Sequence, residues 1–106
     1  MLIASTFDIA DKKIVKTLGL VKGNTIRARH VGRDIMAGLR GIVGGELHEY
    51  TKLLAESREQ DLDRMIEDAQ KLGADAVVGV SFSTSVMSQG AAELMAFGTA
   101  VLIEDN

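Results

Sequence analysis

Four arginines between residues 27 and 41, together with Gly38 and Gly41, are the residues of this chain best suited to hold an anion. The segment Gly38-Leu39-Arg40-Gly41 has the G-x-x-G spacing with which KH domains clamp nucleic-acid phosphates. The accompanying arginines are Arg27, Arg29, Arg33 and Arg40. A net charge of −3 and only four aromatic residues (three Phe and one Tyr) disfavour nucleic acid, so a small anion is the better candidate ligand.

The same cluster also has an architectural interpretation. Gly38 and Gly41 lie inside a helical pattern, where glycine permits close packing of backbones. Arg33, Asp34 and Arg40 would then form ion pairs across the subunits of an oligomer. We favour this interpretation, and the alternative is an enzyme, or a phosphate- or nucleic-acid-binding site, built from the arginines and glycines between subunits.

Metal binding by side-chain nitrogen or sulfur has few candidates. The chain has no cysteine, which excludes thiolate sites, and its histidines are His30 and His48. Glu46 and His48 do not share a helix face at a spacing of two, and His48 shares its face with Lys52, whose charge repels a cation. We therefore predict surface or interface histidines rather than metal ligands, although a ring could gather one histidine per subunit around its axis.

The pattern of hydroxyl and carboxylate residues predicts no enzyme. Serines and threonines between residues 81 and 88 alternate as they do along a strand, and none sits in a nucleophile-elbow motif. Carboxylates recur four residues apart, which is typical of a solvated helix face, at Glu59, Asp63 and Glu67.

A long amphipathic helix is predicted from Leu47 to Leu72. Its apolar stripe consists of Leu47, Tyr50, Leu54, Leu62, Met65, Ala69 and Leu72. Arg58 interrupts this stripe, and a charge in an apolar seam needs a partner, from this chain or from a neighbouring subunit. Gly73 is placed to end the helix. Asp75 is predicted to be a turn or cap residue, or a carboxylate partner for Arg58 or for an arginine of the glycine-rich segment.

The remaining elements predict an α+β fold. A short strand over residues 2–5 precedes a main strand over 14–28, interrupted by Gly23-Asn24 as a turn or bulge. A weak, glycine-rich helix is predicted over 32–43, and a β-hairpin over 77–87 and 93–103. We expect a mainly antiparallel three-stranded sheet packed by the short and the long helix, in the order β-α-α-β-β.

Length and composition predict one soluble, cytoplasmic domain over residues 1–106. The start of the chain lacks the pattern of a signal peptide, and serines break the uncharged run over 76–92, so a membrane helix is disfavoured. Residues 1–41 hold eight Lys/Arg and three Asp/Glu, whereas residues 42–106 hold four and twelve. This asymmetry and the open edges of a three-stranded sheet predict a homo-oligomer.

Motifs spread over nearly the whole chain resemble the YbjQ family. They are the segment Arg33-Asp34-Ile35-Met36-Ala37-Gly38-Leu39-Arg40-Gly41-Ile42-Val43-Gly44-Gly45, then Tyr50 and Arg58, and the segment Leu72-Gly73-Ala74-Asp75-Ala76-Val77-Val78-Gly79-Val80. The resemblance implies an α+β subunit in a closed ring, a pentamer, joined by heterologous interfaces. Members of this family carry the description heavy-metal-binding, which the lack of cysteine in this chain does not favour. The family has no established activity, so the resemblance implies none.

These observations predict a binding or assembly module that holds a small anion or a metal at its subunit interfaces. The candidate binding or interface residues are Arg33, Asp34, Arg40, Arg58 and Asp75, and the weak metal candidates are His30 and His48.

Overall fold

The computed structural model of the chain describes residues 1–27, 48–88 and 91–106. These residues form one helix and four strands in the order β-β-α-β-β. The elements are β1 (Leu2–Ile3), β2 (Lys12–Arg27), α1 (His48–Lys71), β3 (Ala76–Ser88) and β4 (Ala91–Asp105).

The strands make one mixed sheet in the order β1-β3-β4-β2. Strand β4 pairs antiparallel with both β2 and β3, whereas β1 runs parallel to β3 through Leu2↔Ala76 and Ile3↔Val77. The prediction of a three-stranded antiparallel sheet in the order β-α-α-β-β was therefore wrong. The short strand expected over residues 2–5 is present as β1, but the predicted sheet did not include it. Pairing with β3 makes it a fourth, parallel strand. The short helix predicted over 32–43 lies outside the described residues.

Strand β2 continues through Gly23, where the sequence predicted a turn or bulge. A Cβ atom at Gly23 would lie 2.1 Å from the carbonyl oxygen of Asp61 and 2.4 Å from the amide nitrogen of Met65. Glycine at this position therefore allows the backbone of α1 to approach the strand closely, which a turn prediction does not detect.

The core lies on both faces of the sheet. On the face that α1 covers, the buried cluster consists of Val21, Met65, Ala69, Val77, Ala96 and Ala100. On the opposite face, here the outer face, Ala76, Val78 and Val101 are buried beneath partly buried isoleucines, which are Ile9, Ile14 and Ile103. The N-terminal residues before β2 thus cover one end of the outer face.

Helix α1 ends as predicted, but its buried stripe has a different register. Gly73 has a φ of 76°, and the bonds from Gly73 N–H to Gln70 C=O (3.0 Å) and from Ala74 N–H to Ala69 C=O (3.1 Å) form a Schellman motif. Over residues 54–71, the part of α1 whose burial is described, the fully buried residues recur every four positions, at Ser57, Asp61, Met65 and Ala69. Arg58 is exposed, so placing it in the apolar seam was wrong.

Candidate functional site

A buried polar cluster lies between α1 and β2. Ser57 and Asp61 are fully buried one helical turn apart, and Thr25 is 5% exposed. Thr25 lies two residues beyond Gly23, on the same face of β2, and α1 runs antiparallel to the strand. The strand therefore directs Thr25 toward the turn of α1 that holds Ser57 and Asp61. The Thr25 hydroxyl has no hydrogen-bond partner among the described residues.

This cluster offers one carboxylate and two hydroxyl groups. Oxygen ligands of this kind suit hard cations, whereas heavy metals favour thiolate, thioether and imidazole ligands. Among residues 1–27, 48–88 and 91–106, no three His, Asp or Glu side chains come together to hold a metal ion. The described donor set therefore does not fit a heavy metal.

A second arrangement, here the edge clamp, joins α1 to the free edge of β2. The Lys22 N–H donates to Asp68 Oδ2 at 3.2 Å, and Arg64 Nη1 donates to the Asn24 carbonyl at 2.5 Å. Arg64 and Asp68 are one turn apart on α1, so they meet strand groups two residues apart. The clamp gives main-chain groups at the sheet edge a partner that a further strand would otherwise supply.

Asp75 ties the end of α1 to β4. Its Oδ2 accepts from the Ile103 N–H at 2.9 Å, and its own N–H donates to the Val101 carbonyl at 3.0 Å. The turn-or-cap interpretation of Asp75 is the one that these contacts support. Arg58 does not pair with Asp75 within one chain. About 20 Å of helix separates Arg58 from the end of α1 at Lys71, and Asp75 lies beyond that end.

The other predicted site residues cannot be placed. His30, Arg33, Asp34 and Arg40 lie outside the described residues, and so does the side chain of His48, the first residue of α1. Sequence reasoning missed Ser57, Asp61 and Thr25. The signal for the first two was present, since Ser57, Asp61, Met65 and Ala69 share a strict four-residue spacing.

An ion pair lies at one end of the β2–β4 ladder, where the first residue of β2 is opposite the last residue of β4. Lys12 Nζ lies against Asp105 Oδ1, and both side chains are solvent-accessible. The hydrogen bond from Lys12, and then its positive charge, lower the pKa of Asp105 below the ordinary value of 3.8.

Comparison with known proteins decides the family. The family model YbjQ_1, whose description reads "Putative heavy-metal-binding", matches residues 1–104. The chain belongs to the YbjQ family. This confirms the resemblance that the motifs carried.

Relatives share most of the chain. A UPF0145 protein of Methanosarcina acetivorans is 60% identical over 103 residues, covering 97% of each chain. Another, from Dehalococcoides mccartyi, is 56% identical over 104 residues, covering 98% of this chain and all of its own. Neither carries an enzyme name.

A solved structure shares the fold. It is a protein of unknown function of the DUF74 family from Pediococcus pentosaceus, with a TM-score of 0.60, 17% identity and 98% coverage of both chains. Within the described residues, no helix is both long enough and apolar enough to cross a bilayer.

Proposed function

We propose that this chain is a homo-oligomeric binding module of the cytoplasm, a ring of five subunits that holds a small ligand between neighbours. The observation that carries the proposal is the incomplete cover of the outer face. The N-terminal residues cover only the end near Ile14 and Ile103, and beyond that end Leu20 is 69% exposed and Ile26 56% exposed.

The shape of the chain supports assembly. Its Cα radius of gyration is 17.1 Å, with extents of 54 × 25 × 16 Å. A compact domain of this length has a radius of gyration of about 13 Å. An elongated subunit buries a smaller part of its apolar surface, and contact with a second copy would make up the difference.

The charge distribution suits a heterologous contact, in which one face meets a different face. Strand β2 carries the basic residues Lys12, Lys13, Lys16 and Lys22, whereas α1 presents the exposed acidic residues Glu56, Glu59, Asp63 and Glu67. Opposite charges on different faces of one subunit steer like subunits into head-to-tail contact. Such contacts form a ring when the rotation between neighbours closes.

A small anion is the ligand that the candidate residues favour. Arg58 is exposed on α1, where a neighbouring subunit can reach it. In the proposed site, Arg58 meets the Arg33, Asp34 and Arg40 of a neighbour, and guanidinium groups bind carboxylates or phosphates in a bidentate manner. Asp75 has a structural role in this scheme, because its carboxylate already accepts the Ile103 N–H.

The oligomer is tested by measuring mass in solution. Light scattering after size exclusion, and native mass spectrometry, are expected to give a multimer at micromolar concentration, five copies for the ring. A monomer at that concentration would reject the proposal.

The ligand is tested separately. Titration calorimetry with inorganic phosphate is expected to show binding to the wild-type oligomer and about tenfold weaker binding to Arg58→Met. The control is Lys71→Met, which removes an exposed positive charge from the same helix. Elemental analysis of untagged protein tests the metal. If the wild type holds a stoichiometric heavy metal and a His30→Ala/His48→Ala variant does not, the ligand is a metal and the anion proposal is wrong.

A further inference from the structure

We draw no further inference here: the strongest candidate, the buried polar cluster of Thr25, Ser57 and Asp61 between α1 and β2, contains two side chains that already have interactions of their own, Ser57 and Asp61, and the remaining Thr25 hydroxyl does not by itself identify a ligand.

Discussion

At the residue scale, small side chains decide how α1 meets the sheet. Gly23 lets the backbone of α1 approach β2, and the next residue on that face, Thr25, is enclosed with Ser57 and Asp61 nearby on the helix. A buried hydroxyl without a partner costs about 1–3 kcal/mol of folding free energy. The interface between α1 and β2 is apolar at the end around Val21 and polar at the end around Thr25.

Replacing Thr25 with valine should leave the protein as stable or more stable. The shape is conserved, and the hydroxyl that finds no partner among the described residues is removed. We expect the free energy of unfolding, measured with urea, to stay equal or rise by up to about 2 kcal/mol. The control is Thr17→Val at an exposed position of β2. A clear loss of stability in Thr25→Val would mean that this hydroxyl makes a bond essential to the fold.

The Lys12–Asp105 pair should contribute to stability in a pH-dependent way. The pKa of Asp105 is lower in the folded chain than its ordinary value of 3.8, so the contribution is present above that value and is lost as the pH falls through the folded pKa. Both groups are accessible, so the effect is small and screened by salt. Unfolding midpoints of wild type and Lys12→Met should differ at pH 7 and converge as the pH falls through the lowered pKa of Asp105. Equal midpoints at pH 7 in low salt would show that the Lys12–Asp105 pair does not contribute to stability.

At the element scale, the edge clamp lets side chains of α1 bond to the edge of β2 as a neighbouring strand would. Arg64 and Asp68 bond to main-chain groups of β2 that point away from β4. The long helix, its glycine stop and the hairpin were predictable because each has a strong local pattern. The parallel pairing of β1 with β3 and the edge clamp were not predictable, because they depend on contacts between segments distant in sequence.

Loss of the clamp should loosen β2 locally. In Asp68→Ala, the Lys22 N–H loses its acceptor, and its amide should exchange with solvent about tenfold faster. The global free energy of unfolding should change by less than about 1 kcal/mol, because the contact is exposed. The control is Glu67→Ala, an exposed neighbouring carboxylate. Unchanged exchange at Lys22 would show that Asp68 does not protect this edge.

At the scale of the whole molecule, part of the outer face of the sheet keeps apolar side chains exposed to solvent in a single chain. Leu20 (69% exposed) and Ile26 (56% exposed) are the apolar residues that β2 exposes on this face. In isolation they would add an apolar patch to an elongated subunit, and soluble monomers keep such patches small.

Replacing Leu20 with serine should therefore weaken assembly. If a neighbour covers this residue, the change lowers the free energy of dissociation of each contact by about 1.5–3 kcal/mol. The oligomer should then dissociate at concentrations at least about tenfold higher than wild type. The control is Leu72→Ser, since Leu72 is 47% exposed after the end of α1. Unchanged dissociation of Leu20→Ser, measured by light scattering over a dilution series, would place Leu20 in solvent in the assembly.

The sheet's register also places both ends of the chain together. Leu2 pairs with Ala76, which pairs in turn with Val101, and the Asn106 N–H bonds to the Asp11 carbonyl at 3.3 Å. Two fluorophores, one attached at each end of the chain, would therefore lie close enough for efficient energy transfer in the folded subunit. They would sit at the end of the long axis farthest from Arg27 and Ser88, and the same pair could follow unfolding of the subunit.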